Sequence, residues 1–188
     1  MNFSAVILAG GKSSRMGRDK ARLPMEGQTL IERQIDLVRK LGAGEILISA
    51  RKEGDHSDLG LPVITDQFVD AGPLGGIERA LAICASPLLL VLAVDMPYLT
   101  VKTLAQLQAD TMNDLGVIPR VAGQIEPLAA FYPKSAHELI GGLLSKQSRG
   151  ATSLAEQCVQ TGRARFHDLA AGHAREFSSW NTPAEVVS

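Results

Sequence analysis

Apolar residues follow two different spacings along the chain, and the two spacings alternate. Continuous apolar runs are typical of buried strands, whereas apolar residues every three to four positions are typical of amphipathic helices. The runs predict strands at residues 3–8, 45–49, 63–65, 88–93, 116–119 and 127–132. The helical spacing predicts helices at residues 29–41, 75–84 and 100–111, the first closed by Gly42 and the last capped by Thr100. This alternation predicts an α/β fold, a three-layer α/β/α sandwich around a Rossmann-like, mostly parallel sheet.

The composition narrows the class of protein. The chain has 188 residues, of which 45% are hydrophobic and 21% are charged, so we expect one globular domain over residues 1–188. A net charge of −1 gives no overall attraction to nucleic acid or to an anionic membrane surface. Residues 2–8 are too short for the core of a signal peptide, and the apolar run 87–94 is too short to span a membrane. We therefore expect a cytoplasmic protein without nucleic-acid or membrane partners. Cys84 and Cys158 lack metal or redox spacing and are expected to be buried.

A loop rich in glycine and cations follows the first predicted strand. It opens with Gly10 and Gly11, which let the backbone approach a ligand closely. Its cations are Lys12, Arg15, Arg18 and Lys20. Backbone amides and several cations on one loop suit a polyphosphate, so we interpret the loop as a nucleoside triphosphate site. The loop matches neither a Walker A motif, since Val6 stands where its first glycine belongs, nor the G-x-G-x-x-G fingerprint. The alternative is a flexible, solvated basic loop.

Asp95 follows the most apolar predicted strand. A strand buried on both faces cannot hold an unpaired charge, so this carboxylate is expected at the carboxyl end of the strand. Ligands of α/β folds bind at these ends, and Mg²⁺ binds through one or two carboxylates together with phosphate oxygens. Asp95 is thus a candidate ligand of Mg²⁺. The alternative is that Asp95 caps the following helix, although Thr100 lies closer to its start.

Several short motifs together resemble the signature of one nucleotidyltransferase family, the one that contains molybdenum cofactor guanylyltransferase. The motifs are Leu-Ala-Gly-Gly at 8–11, Arg-Met-Gly at 15–17, Asp-Lys at 19–20, Asp66, Gly-Pro-Leu-Gly-Gly-Ile at 72–77, Asp-Met-Pro at 95–97, Glu-Pro-Leu at 126–128 and Asn-Thr-Pro at 181–183. The resemblance extends over nearly the whole chain. It implies a sheet of the nucleotide-diphospho-sugar transferase type, with a nucleotide-binding N-terminal half and an acceptor-binding C-terminal half.

The resemblance also implies roles for individual residues. It implies catalytic roles for Arg15, Lys20 and Asp95. Nucleotide contacts are implied for Leu8, Ala9, Gly10, Gly11, Lys20, Asp66 and Asp95. Mg²⁺ would be held by Asp95 and Asn181, although Asn181 equally suits the cap of a helix that Pro183 begins.

Two further sites keep two interpretations each, and a third position departs from the family pattern. Residues 72–77 either approach the base or only open a helix, and Glu126 either contacts the acceptor or pairs with an arginine. Ser49 stands where guanylyltransferases of this family often have an asparagine, and serine cannot present the paired donor and acceptor of an amide. This departure weakens the expectation of guanine recognition.

The function that the resemblance implies is Mg²⁺-dependent transfer of GMP from GTP to molybdopterin, with release of pyrophosphate. The expected partners are GTP and molybdopterin, with transient contacts to molybdenum-insertion or molybdoenzyme-maturation proteins. Two alternatives from the same superfamily are cytidylyl transfer to molybdopterin and nucleotidyl transfer to a sugar phosphate. The cytidylyl branch usually shows Ala-Ala-Gly in place of residues 8–11, which favours GTP. A third alternative is a nucleotide-binding module without catalysis.

Overall fold

An eight-stranded sheet lies at the centre of the computed structural model, which describes residues 2–10, 19–68, 71–112, 115–145 and 150–180. The strands are β1 (Phe3–Leu8), β2 (Pro24–Met25), β3 (Gln28–Thr29), β4 (Glu45–Ala50), β5 (Val63–Thr65), β6 (Leu88–Ala93), β7 (Gly116–Val121), β8 (Gln124–Ile125), β9 (Ala129–Pro133) and β10 (Ala164–Leu169). The helices are α1 (Leu30–Leu41), α2 (Pro73–Ile83), α3 (Val101–Asp110), α4 (His137–Ser145) and α5 (Ala151–Gln160).

The sheet is mixed and mostly parallel. Its strand order is β10-β7-β9-β6-β1-β4-β5, with β8 paired to β7, while β2 and β3 form a separate hairpin. β1 lies parallel to β4 and β6, β4 to β5, and β7 to β10. β9 is inserted antiparallel between β6 and β7, and β8 is antiparallel to β7. The predicted fold class is therefore confirmed, with an antiparallel strand near the middle that the sequence pattern did not indicate.

Helices cover both faces of the sheet, because the strand side chains alternate between two apolar cores. On β1, Phe3 and Ile7 belong to one core with side chains of α1 and α3. Val6, between them, belongs to the other core with side chains of α2, α4 and α5. These two cores on opposite faces of one sheet make up the predicted three layers.

The helix boundaries follow local capping chemistry. Thr29 and Glu32 form a reciprocal capping box at the start of α1, and Gly42 ends this helix with a φ of 90°. α2 begins at Pro73, two residues before the predicted start, because proline supplies a helical φ at the first position without needing an amide partner. α4, α5 and β10 were not predicted at all.

Other features of the chain agree with its composition. Both Cys84 and Cys158 are free thiols with no exposed surface, and burial raises the pKa of Cys158 to about 12. None of the helices within the described ranges has both the length and the apolar character needed to cross a membrane.

Candidate active site

The carboxyl ends of β1, β4, β5 and β6 lie along one edge of the sheet. The register places Leu8 beside Ser49 on β4 and beside Ala93 on β6. Just beyond the strands, the amide of Ala9 donates to the carbonyl of Ser49 at 2.8 Å, and the amide of Val94 donates to the carbonyl of Leu8 at 3.2 Å. The backbone that enters the predicted phosphate loop is therefore held between two strand ends.

Lys20 and Asp95 meet at this edge although they are 75 residues apart in sequence. The ammonium Nζ of Lys20 donates to Oδ2 of Asp95 at 3.2 Å. Their side chains are 19% and 22% exposed, so both groups remain within reach of a ligand from solvent. Two of the residues predicted to be catalytic thus form one pair.

The structure tests one of the two interpretations of Asp95, that it caps the following helix. The cap of α3 is Thr100, whose hydroxyl accepts a hydrogen bond from the amide of Thr103 at 3.2 Å. Asp95 lies two residues past the end of β6, and its side-chain contact is with Lys20. The helix-cap interpretation of Asp95 is therefore wrong.

The last described residues return to Asp95. The amide of Trp180 donates to the backbone carbonyl of Asp95 at 2.9 Å. The indole ring packs edge-on against Tyr98 with centroids 6.2 Å apart, and the guanidinium of Arg175 lies 4.6 Å from the centre of the Tyr98 ring. The segment is also tied to α3, because Glu176 accepts hydrogen bonds from Thr100 and Thr103. The last described residue, Trp180, therefore lies beside Asp95.

Asp66 follows β5 at the same edge, next to the first turn of α2. Burial raises the pKa of its carboxyl group above the usual value, and the negative charge of Glu78 raises it further. No ion pair or hydrogen bond connects this carboxylate to another side chain in the described ranges. Asp66 is thus a partly buried acceptor that a ligand with N–H or O–H groups could satisfy.

Three glycines allow close approach at this edge. A Cβ at Gly10 would lie 3.3 Å from the backbone that leaves β4. A Cβ at Gly75 would lie 2.7 Å from Oδ2 of Asp66, and one at Gly76 would lie 2.3 Å from Oγ of Ser49. The two helix glycines therefore let α2 pack directly on the ends of β4 and β5. Contact of residues 72–77 with a nucleotide base stays a prediction.

Sequence reasoning did not foresee one of the contacts around this edge. Nε2 of His56 lies 3.7 Å from Oδ2 of Asp19, and no local sequence pattern indicates it, since the two residues are distant in the chain. The resemblance implied that the C-terminal segment returns to Asp95, but the backbone contact made by Trp180 was not predicted. Glu126 is half-buried, which raises the pKa of its carboxyl group, and it forms no ion pair with an arginine in the described part of the chain.

Some predicted site residues lie outside the described residues. They are Gly11, Lys12, Arg15, Arg18 and Asn181. The remaining predicted contacts all belong to one edge of the sheet: Leu8, Ala9, Gly10, Lys20, Asp66 and Asp95.

The donor groups at this edge suit an anion together with a divalent cation. Within the described ranges, no three His, Cys, Asp or Glu side chains are grouped as a complete metal site. A single carboxylate is nevertheless sufficient for Mg²⁺ when phosphate oxygens and waters complete its coordination. Asp95 fits this requirement, because its oxygen already contacts a cationic group and is partly open to solvent.

Comparison with known proteins agrees with the geometry. Residues 5–162 match the family model described as the MobA-like NTP transferase domain. A protein of Opitutus terrae, named as a probable molybdenum cofactor guanylyltransferase, is 35% identical over 186 residues, covering 97% of this chain and 92% of its own length. The molybdenum cofactor guanylyltransferase of Xanthomonas euvesicatoria is 32% identical, again covering 97% of this chain and 92% of its own length.

Solved structures share the fold at lower identity. The molybdopterin-guanine dinucleotide biosynthesis protein A of Archaeoglobus fulgidus superposes with a TM-score of 0.71 at 22% identity, covering 99% of this chain and 95% of its own. A nucleotidyl transferase from Methanothermobacter gives a TM-score of 0.77 at 20% identity, covering 97% and 93% of the two chains. The family model covers far more than half of the sequence, and the fold is that of nucleotidyltransferases. The chain therefore belongs to the family of MobA-like NTP transferase domains.

Proposed function

We propose that this protein transfers GMP from GTP to the terminal phosphate of molybdopterin, whether or not molybdenum is bound, and releases pyrophosphate. The observation that carries the proposal is the Lys20–Asp95 pair at the carboxyl edge of the sheet, 3.2 Å apart and partly open to solvent. A cation for phosphate oxygens and a carboxylate for a divalent metal are the two charges that nucleotidyl transfer requires. The names of the two relatives support the choice of GTP and of the acceptor.

In this proposal Lys20 and Arg15 bind the β- and γ-phosphates. The ammonium group of Lys20 is a compact charge, whereas the guanidinium of Arg15 can bind two phosphate oxygens at once. Leu8, Ala9, Gly10 and Gly11 would contact the nucleotide where the chain leaves β1. The amide of Ala9 takes no part in this contact, because it donates to the carbonyl of Ser49. Asp66 is proposed as an acceptor for donor groups of the base or ribose, since its carboxylate lacks a protein donor in the described ranges.

Asp95 and Asn181 are the proposed ligands of Mg²⁺. Asn181 is covalently next to Trp180, whose amide binds the carbonyl of Asp95 at 2.9 Å, so the chain order agrees with a shared site. When bound, Mg²⁺ neutralises charge on the phosphate groups. A metal-binding role for Asp95 also explains why a carboxylate follows a strand with no exposed residue.

The chemistry needs no general base. The terminal phosphate of the acceptor is already anionic at neutral pH, so one of its oxygens attacks the α-phosphorus of GTP directly. The new bond is an O–Pα bond, and the bond from Pα to the bridging oxygen of the β-phosphate breaks. Pyrophosphate leaves with that electron pair. Lys20 and Arg15 stabilise the charge that develops on the leaving group, which is their proposed catalytic role.

Cytidylyl transfer to molybdopterin is the second candidate, and Ser49 is the observation that favours it. Ser49 is almost fully buried beside Gly76, and its hydroxyl lacks the donor and acceptor pair of an amide. The Leu-Ala-Gly-Gly motif at residues 8–11, in contrast, favours GTP.

The proposal also covers the location and protein partners of the enzyme. We propose a cytoplasmic enzyme with transient contacts to molybdenum-insertion or molybdoenzyme-maturation proteins. The two free thiols are compatible with a reducing compartment.

A nucleotide panel tests the proposed function. The purified protein is incubated with molybdopterin, Mg²⁺ and one of GTP, CTP, ATP or UTP, and released pyrophosphate is measured. We expect GTP to be turned over at least tenfold faster than the other nucleotides, because a base read by hydrogen bonds is discriminated strongly. Equal or faster turnover of CTP would support cytidylyl transfer. Binding of GTP without any pyrophosphate release would indicate a non-catalytic module.

A further inference from the structure

The segment between β4 and β5 contacts the short 3-10 helix that contains Lys20. This helix, Lys20–Arg22, is joined to a second 3-10 helix in that segment, Ser57–Leu59. The guanidinium of Arg22 binds the carboxylate of Asp58 through two contacts, one of them 2.9 Å from Nη1 to Oδ2. The first helix is thus tied at its end to the segment that follows β4.

The start of the same helix is fixed by Asp19. Oδ1 of Asp19 accepts a hydrogen bond from the amide of Ala21 at 3.0 Å, and Ala21 is fully buried. The carbonyl of Lys20 accepts from the amide of Leu23 at 3.0 Å. The backbone position of Lys20 therefore depends on how the side chain of Asp19 is held.

His56 is the residue that meets the other oxygen of Asp19. Its Nε2 lies 3.7 Å from Oδ2 of Asp19, while only 4% of its side chain is exposed. His56 has a φ of 61°, an uncommon conformation for a residue other than glycine. Its Nδ1 is buried without a hydrogen-bond partner in the described part of the chain. A backbone in an uncommon conformation and an unsatisfied buried atom both cost folding free energy, which suggests a role other than stability.

We propose that His56 is a positioning residue for Lys20. Its imidazole lies 3.7 Å from one oxygen of Asp19, beyond hydrogen-bond distance, and fills the space into which that carboxylate would otherwise turn. The carboxylate therefore stays at the start of the helix, and the Lys20 ammonium stays beside Asp95. The inference rests on the proposed function: a carboxylate adjacent to Lys20 would repel a triphosphate if it turned towards it. His56 thus acts through Asp19 and not on the phosphate groups themselves.

Two substitutions of His56 separate positioning from folding. His56→Leu removes the polar nitrogen that faces Asp19, whereas His56→Gln retains an amide nitrogen at nearly the place of Nε2. Both replacements meet a similar backbone strain at this positive φ. A matched control is His167→Leu. His167 also contacts a carboxylate, Oδ2 of Asp110 at 2.9 Å, but it lies on β10, the outermost strand on the side of the sheet away from β5.

The first measurement is the rate at which an amine-reactive ester labels Lys20, followed by mass spectrometry without nucleotide. We expect His56→Leu to increase the rate by about 3- to 10-fold, the range that loss of one partly buried polar contact produces. His56→Gln and the His167 control should stay within about twofold of the unsubstituted protein. The second measurement is steady-state kinetics. His56→Leu should raise the KM for GTP by a similar factor and also lower kcat, because Lys20 is proposed both to bind the phosphates and to stabilise the leaving group; His56→Gln should restore both.

The inference is overturned if His56→Leu folds normally and neither Lys20 labelling nor the KM for GTP changes. Equal shifts in melting temperature for His56→Leu and His56→Gln, without a change in labelling, would also overturn it by indicating a purely structural role. If His56→Leu does not fold, Asp19→Ala takes its place. This variant removes the cap oxygen for Ala21 and should raise Lys20 labelling at least to the same extent; unchanged labelling would overturn the inference. If the unsubstituted protein releases no pyrophosphate, the proposed function fails, while the labelling measurement still decides the role of His56.

Discussion

Replacing Gly76 by alanine tests how closely α2 packs on the carboxyl ends of β1 and β4. A Cβ at this position would lie 2.3 Å from Oγ of Ser49, 3.1 Å from Cβ of Ser49 and 3.0 Å from Cδ2 of Leu8. Rotation of the Ser49 hydroxyl relieves the shortest contact. It cannot move the Cβ of Ser49, because the backbone of β4 holds that atom in the sheet, so the helix or the strand must shift.

Two opposing terms set the magnitude. Alanine is favoured over glycine by up to about 1 kcal/mol in a helix interior and by less in the first turn, where Gly76 lies. Inserting an extra methyl group into a well-packed region costs about 1–3 kcal/mol. We therefore expect Gly76→Ala to lower the free energy of unfolding by about 1–2 kcal/mol, which corresponds to a decrease in melting temperature of about 3–6 °C for a domain of this size.

Thermal unfolding followed by circular dichroism measures this change, and Gly141 provides the control. Gly141 lies in the middle of α4 and is exposed. Apart from its chain neighbours and the backbone of its own helix, no atom of the described residues lies within 4 Å of the place that a Cβ would take there. Gly141→Ala should therefore stabilise the protein by about 0.5–1 kcal/mol. Adding Ser49→Ala to Gly76→Ala should recover little of the loss, since rotation of the hydroxyl already relieves the contact with Oγ and the Cβ at position 49 remains. Equal stabilisation by the two glycine substitutions would refute the argument from packing.

Two further predictions concern the acidic residues of the site. Asp95→Asn should reduce turnover at least a hundredfold, about 2.7 kcal/mol of transition-state stabilisation, and leave the melting temperature nearly unchanged. The matched control is Asp168→Asn, which breaks a carboxylate–cation pair with Arg120 on the outermost strand β10, several strands away from the site, and should leave turnover intact. Near-normal turnover of the Asp95 variant would remove the proposed metal ligand. Asp66→Asn should raise the melting temperature at pH 7, because burial and Glu78 raise the pKa of Asp66 and its charged form therefore opposes folding. The stability that the protonated carboxyl group of Asp66 contributes is complete below the usual pKa of 3.8 and is lost as the pH rises through the folded-state pKa. The increase in melting temperature caused by Asp66→Asn should therefore shrink from pH 7 towards pH 4. An increase that does not depend on pH would contradict the raised pKa of Asp66.

Most helices and strands near the candidate active site could be predicted from local sequence. The strands at residues 3–8, 63–65 and 88–93 have the predicted boundaries. Each has a compact apolar run, and neighbouring polar residues or glycines mark where it ends. α1 follows from its apolar spacing and from its caps at Thr29 and Gly42, all of which lie within one short segment. Asp66 and Asp95 each follow a predicted strand, whereas Lys20 was named from the cations of its loop and from the family resemblance.

Pairing and side-chain contact were decided only in three dimensions. The antiparallel direction of β9 depends on the edges of β6 and β7, which its own residues do not encode. α4, α5 and β10 were not predicted, because their spacing of apolar residues is less regular than that of N-terminal elements such as α1 and β1.

The arrangement of the site was also a tertiary property. Lys20 meets Asp95, Trp180 returns to Asp95, and His56 reaches Asp19 across long stretches of chain. Local propensity and capping act over about one helical turn or one strand, so a sequence pattern can indicate them directly. Contacts between distant residues form only when the sheet brings its carboxyl ends together, and the packing of both helical layers sets their distances.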